Sequence, residues 1–189
     1  MLSRRTFLTG AAAAASTFVI PRAAEAAWQL PELYRAQIVP VRSNFGLRPG
    51  EIHIVQSDFF LYYILPGDRA VRYGIAVGED GRQFRGSAYV GRKVEWPSWT
   101  PTANMIAREP EKYAQFAAGM PGGPANPLGA RALYLYRNGR DTLYRIHGTP
   151  EPWSIGHAVS SGCIRMVNSH AADLYKRAPI GTRVFTSRS

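Results

Sequence analysis

At 189 residues, 46% hydrophobic and 12% aromatic, the chain has enough apolar side chains for one buried core, which excludes a disordered or fibrous protein. Its formal net charge of +10 suits nucleic acid, an anionic membrane or an acidic polymer, yet the positive charges are scattered along the chain and nearly all are arginine. A single cysteine excludes an internal disulfide framework.

The first residues read Ser3-Arg4-Arg5-Thr6-Phe7-Leu8, followed by a weakly apolar run from Thr9 to Ile20 and then Pro21-Arg22. Paired arginines before Phe-Leu and an alanine-rich stretch form the twin-arginine export pattern, and Ala24-Glu25-Ala26 offers a small-x-small cleavage site. The apolar run falls well short of the ~20 residues that a membrane helix needs. Residues 1–26 are therefore expected to be a signal peptide cut after Ala26, leaving a periplasmic protein without an integral membrane span. The cut removes Arg4, Arg5, Arg22 and Glu25 and leaves a net charge of +8. Export argues against nucleic acid as a partner and keeps an anionic cell-wall polymer in view.

Residues 27–50 mix Pro31, Pro40, Pro49 and Gly50 with short apolar stretches and read as an N-terminal arm or lead-in. From Glu51 the pattern is of strands. Glu51 to Gln56 alternates polar and apolar residues, and Phe59 to Leu65 is an apolar run closed by the Pro66-Gly67-Asp68 turn. Val71 to Val77 and Ser87 to Trp96 continue the series. Trp96 to Thr102 breaks it, and Glu109-Pro110 opens a short helix reaching about Phe116. Gly119 to Gly129 holds three prolines and four glycines, an irregular passage that suits a lid or a connector. Ala132 to Tyr136 and Asp141 to Ile146 read as a hairpin turning at Asn138-Gly139. Asn168 is the expected cap of a helix whose apolar face includes Ala171, Leu174 and Tyr175, stopped by Pro179. Thr182 to Thr186 closes the chain as a strand. The expected architecture is a mostly β monomer, with residues 51–189 forming a small barrel or sandwich with one or two short helices.

The chemistry concentrates between His147 and Arg165, which bracket the only cysteine. A free thiol in an oxidising compartment is a liability, so Cys163 is read as a working residue rather than an inert buried one. Cys163 is the candidate nucleophile, and His147, sixteen residues earlier, the candidate base. A thiol gains from a pKa lowered from about 8.5 toward neutrality by a nearby imidazole or cation. The carbonyl of Gly148 can hold the second imidazole nitrogen. The Ser161-Gly162-Cys163 backbone has small residues that let amide groups face a developing oxyanion, and Ser160 completes the candidate oxyanion and substrate-binding set. Arg165 adds a fixed positive charge. These are acyl-transfer parts and require neither metal nor organic cofactor.

The pattern His147-Gly148-Thr149, Ile155-Gly156, Ser160-Ser161-Gly162-Cys163-Ile164-Arg165 resembles the L,D-transpeptidase catalytic domain family, the YkuD-type fold. The resemblance runs from about Glu51 to Thr186 and takes in the stretch from Lys93 to Thr102 and Asn126-Pro127-Leu128-Gly129. It implies a cysteine acyltransferase of peptidoglycan. The thiolate attacks the L-centre carbonyl of a diaminoacyl residue in a stem tetrapeptide, expels D-alanine and passes the acyl group to an amine. Matched by position, Cys163 is the nucleophile, His147 the general base, Gly148 its orienting carbonyl and Arg165 a supporting charge. The family usually has Ser-His-Gly-Cys, so Ser161 stands where an imidazole is the rule.

Three alternatives follow from the same residues. A zinc site would use His147, His157, Cys163 and His170. A wall-binding module would keep the fold and lose the chemistry. A hydrolase would resolve the same acyl-enzyme with water, as an L,D-carboxypeptidase or a cross-link-cleaving enzyme.

Overall fold

The computed structural model describes residues 28–42 and 46–186. The signal peptide expected at residues 1–26 lies outside them. The described residues form strands β1 (Gln37–Pro40), β2 (Ile52–Val55), β3 (Phe60–Leu65), β4 (Arg69–Gly74), β5 (Val77–Gly78), β6 (Ser87–Glu95), β7 (Arg131–Arg137), β8 (Arg140–His147), β9 (Ala158–Ser160), β10 (Ile164–Arg165) and β11 (Arg183–Thr186). Three helices accompany them, α1 (Ala103–Arg108), α2 (Pro110–Tyr113) and α3 (Asn168–Arg177).

The period-two pattern dictates the layering. In β2, Ile52 and Ile54 are buried and the alternate His53 and Val55 only half-buried. Nine strands share one sheet in the order β1-β4-β3-β2-β11-β6-β7-β8-β10, and β5 pairs with β9 separately. One core joins Ile52, Leu61, Tyr73, Leu133, Ile146 and Ile164 of the sheet to Ala171 and Leu174 of α3. Between β4 and β5, the Ala76 amide donates to the Arg165 carbonyl at 2.9 Å and the Arg165 amide returns a bond of 2.9 Å. That exchange ties the chain leaving β4 to β10 at the far edge and curls the sheet around its core.

The mostly β fold agrees with expectation, and the differences have local causes. The stretch from Val71 to Val77 is two strands because Ala76 turns away to reach Arg165. Gly74, where β4 ends, lies so close to Tyr34 that an added Cβ would meet the Tyr34 Cβ at 2.4 Å. The residues read as an arm supply β1, antiparallel to β4 with Ile38 opposite Val71. Helix α1 adds a third helix that six residues are too few to announce by periodicity; Thr102 caps it, accepting the Met105 amide at 3.2 Å. Asn168 is the first residue of α3 and not its cap, because its Oδ1 accepts the Ala130 amide at 2.9 Å instead.

Candidate active site

Strands β8 and β10 run parallel, with Ile164 opposite Ile146 and Arg165 opposite His147. Paired residues on a ladder share a face. Ile146 and Ile164 enter the core, so His147 and Arg165 lie on the opposite side, and Cys163, two residues before Arg165, is carried there too. All three line a cavity of about 950 Å³.

His147 is 3% exposed, and its Nδ1–H donates to the Gly148 carbonyl at 2.5 Å. That bond fixes the tautomer and leaves Nε2 with a lone pair to accept a proton. The Gly148 amide donates to Arg131 and the Met166 amide to the His147 carbonyl, at 2.9 and 2.8 Å, so the ring hangs from backbone held on both sides. Burial pushes the imidazole pKa down to about 3; the Arg165 and Arg145 charges act the same way, against the Gly148 carbonyl.

The thiol runs against expectation. Cys163 is half-buried as a residue, yet desolvation is the largest influence on its thiol and raises its pKa above the ordinary value. The Arg145 backbone and then the charges of Arg145 and Arg165 pull it back without overcoming burial. Both directions favour the uncharged forms at rest, a neutral thiol and a neutral imidazole lining the same cavity. The thiol itself points at the Leu143 carbonyl, 3.8 Å away. Leu143 sits at φ +64 in the strand's irregularity, a conformation that a branched side chain adopts at some cost.

The turn before Cys163 is fixed by Ser160, which is 2% exposed. Its hydroxyl donates to the Cys163 carbonyl at 2.6 Å and accepts the Gly162 amide at 3.1 Å. The Gly162 N–H, one of the amides expected to face an oxyanion, is thus already bonded to the Ser160 hydroxyl. Gly162 holds φ +135, and a Cβ there would meet the Arg82 carbonyl at 2.8 Å and the Tyr144 ring at 2.9 Å. Ser161 is exposed, and its hydroxyl accepts Arg108 Nη2 at 3.2 Å. Arg165 donates to Glu151 at 2.8 Å.

The irregular passage forms one wall of the cavity and is well ordered by its own contacts. Trp99 and Met120 exchange backbone bonds of 2.9 and 2.7 Å, and the Trp99 ring packs on Tyr113 and Phe116. Asn126, 1% exposed, donates to the Pro121 carbonyl at 2.9 Å and accepts the Leu128 amide at 2.9 Å.

The zinc alternative is not assembled. His157 is exposed on the cavity wall, but His170 lies on α3, where its Nε2 accepts the Ala36 amide at 3.3 Å. Among the described residues no three His, Cys, Asp or Glu side chains are gathered as around a metal.

Two residues outside the motif act on the site. Arg145 forks onto Asp141 at 2.7 and 2.9 Å, lies 4.2 Å from the centre of the Tyr134 ring, and acts on both the thiol and the imidazole. Its signal was its place two residues before His147, on the same face of the strand. Asn168 Oδ1 occupies the space that a Cβ would need at Gly148 or Gly129, 2.1 and 2.2 Å away. The signal there was a pair of glycines flanking two strand ends.

Known proteins resemble this chain to different extents. The chain is 39% identical over 131 residues to an Escherichia coli protein named a probable L,D-transpeptidase, ErfK/SrfK, covering 68% of this chain and 41% of that one. A second, YbiS from the same organism and named likewise, is 37% identical over 143 residues, covering 72% and 45%. The chain thus spans less than half the length of either relative. A solved Brucella melitensis protein named a probable carnitine operon oxidoreductase is 48% identical, covers 80% of this chain and 92% of its own, and superposes with a TM-score of 0.57. The redox activity in that name belongs to that protein; the fold and nearly half of the aligned residues are what it has in common with this one. The family model for the L,D-transpeptidase catalytic domain, YkuD, matches residues 49–185, and the chain belongs to that family.

Proposed function

We propose that the mature protein is a periplasmic peptidoglycan L,D-transpeptidase that acts as a monomer, exported by the twin-arginine route and released after Ala26. The observation that carries this reading is the β8–β10 register, which sets the cysteine segment beside an imidazole whose Nδ1 is already committed to Gly148. Such an imidazole takes a proton through Nε2 alone, as a general base to a thiol requires.

The donor is a stem tetrapeptide. As Sγ bonds to the diaminoacyl L-centre carbonyl carbon, Nε2 of His147 takes the thiol proton and the carbonyl π electrons move to oxygen. The Cys163 amide is the donor assigned to that oxyanion, since the Gly162 amide already serves Ser160. Arg165 and Arg145 add positive charge. Collapse breaks the C–N bond, and the D-alanine nitrogen leaves with the proton from His147. An amine acceptor then attacks the thioester, gives a proton to His147, and expels the thiolate, which recovers it.

No described helix is long and apolar enough to cross a membrane.

The test is mass spectrometry of tetrapeptide muropeptides incubated with the mature protein, with and without added amine. The expected product has lost alanine and gained the amine. A free tripeptide acid with amine present would favour the hydrolase. No loss of alanine, from protein whose thiol a small reagent alkylates, would overturn the reading.

A further inference from the structure

We propose that Arg108, carried by α1 to the mouth of the cavity, binds a carboxylate of the donor peptide beside the nucleophile. The inference rests on the transpeptidase reading and adds a specificity residue to it.

Two observations carry it. The first is reach. Arg108 Nη2 donates to the Ser161 hydroxyl at 3.2 Å, two residues before Cys163, and its Nε donates to Glu109 at 3.2 Å. Those bonds use two of five N–H groups and leave Nη1 with one Nη2 hydrogen, the end-on fork that matches a carboxylate. The second is charge. The cavity wall carries Arg82, Arg108, Lys112 and Arg165. Arg82 has Glu79 at 2.6 Å and Arg165 has Glu151 at 2.8 Å, one carboxylate each. Arg108 and Lys112 share Glu109, at 3.2 and 3.4 Å. The unmatched positive charge therefore falls on the wall formed by α1 and α2, where an anionic group would complete it. The donor peptide brings two such groups near its scissile bond, the terminal carboxylate of the departing D-alanine and a carboxylate on the diaminoacyl side chain.

Steady-state kinetics on three donors separate them: the unmodified tetrapeptide, its C-terminal amide and its side-chain amide, each with wild type, Arg108→Lys and Arg108→Gln. Arg108→Gln is expected to raise KM for the unmodified donor about tenfold, more than it lowers kcat. It should also abolish the wild-type preference for that donor over one of the two amides, and the amide concerned identifies the carboxylate. Arg108→Lys should fall between. Arg108 is exposed, so the fold should tolerate both changes, and circular dichroism with iodoacetamide labelling of Cys163 checks fold and thiol. Calorimetry with Cys163→Ala, with and without Arg108→Gln, reads the same discrimination without turnover. Turnover indifferent to Arg108 and to both amides would overturn the subsite alone. Protein that neither binds nor turns over any donor, with its thiol reactive, would overturn the transpeptidase reading and the subsite with it.

Discussion

The Ser160 hydroxyl donates to the Cys163 carbonyl at 2.6 Å and also accepts the Gly162 amide at 3.1 Å. One side chain therefore closes the turn that carries the nucleophile. Its neighbour Ser161 is exposed and its hydroxyl accepts from Arg108 of α1, so adjacent serines do different work.

Ser160→Ala should remove both bonds and leave a buried amide and a carbonyl competing for partners. The expected cost is about 1–3 kcal/mol of stability, read by chemical denaturation. The rate of transfer should fall further than stability alone explains, because the thiol is no longer held. Ser161→Ala, at an exposed site, should change stability by less than about 0.5 kcal/mol. Equal effects of the two substitutions would remove Ser160 from its assigned part.

Gly162→Ala asks whether the turn tolerates a side chain. The new methyl would meet the Arg82 carbonyl at 2.8 Å, and the residue would have to hold φ +135. An alanine there relaxes only by shifting Cys163 or the Arg82 segment. Transfer should be lost, and labelling of Cys163 by iodoacetamide should change in rate. A variant with wild-type kinetics would mean that the turn is pliable.

Much of this was legible in the sequence, and the limits are instructive. The strands of the central sheet follow from alternation at Ile52 and Ile54 and from Asn138-Gly139, whose residues take φ +50 and +76 as the tight hairpin requires. Signals of this kind are local. The split at Ala76 is not, since it depends on Arg165 nearly ninety residues away. In the site, residue type and spacing pointed to Cys163, His147, Gly148 and Arg165, and the fold brings Cys163, His147 and Arg165 to one cavity. The Gly148 carbonyl takes the bond expected of it. The thiol's electrostatics were not legible, because spacing says which charges are near and nothing of how much water is removed. Arg108 and Asn168 act on the site from other segments, and only the fold brings them there.

The buried imidazole should make the protein sensitive to acid. His147 titrates at about 3 in the fold against 6.5 for an ordinary histidine, so the unfolded chain binds the extra proton between those values. The stabilisation is complete above pH 6.5 and is lost as pH falls toward 3, by about 1.4 kcal/mol per unit at most. His170, also lowered by burial, adds to the same slope. Urea unfolding at pH 7, 6 and 5 should therefore show a shallower loss for His147→Gln than for wild type. Identical slopes would mean that His147 can be protonated without leaving its place.

The neutral state of the pair predicts how the thiol reacts. A thiolate–imidazolium pair would be alkylated well into the acid range, because the ion pair persists there. Here burial raises the thiol and lowers the imidazole, so neither is charged near neutrality and the thiolate must be made as it reacts. Labelling of free wild-type enzyme with iodoacetamide should rise with pH through an inflection above the ordinary thiol value of about 8.5, without a plateau at low pH. Arg145 tests the cause. Its charge is among the influences that hold the thiol down, and its fork to Asp141 fixes where that charge lies. Arg145→Gln should move the inflection to higher pH and slow labelling at pH 7.5. Arg145→Lys, keeping charge but losing the planar fork, should move it less. Labelling with an inflection near pH 5 would sink the neutral pair and restore a preformed thiolate. An inflection unmoved in Arg145→Gln would leave burial in place and remove Arg145 from the site's electrostatics.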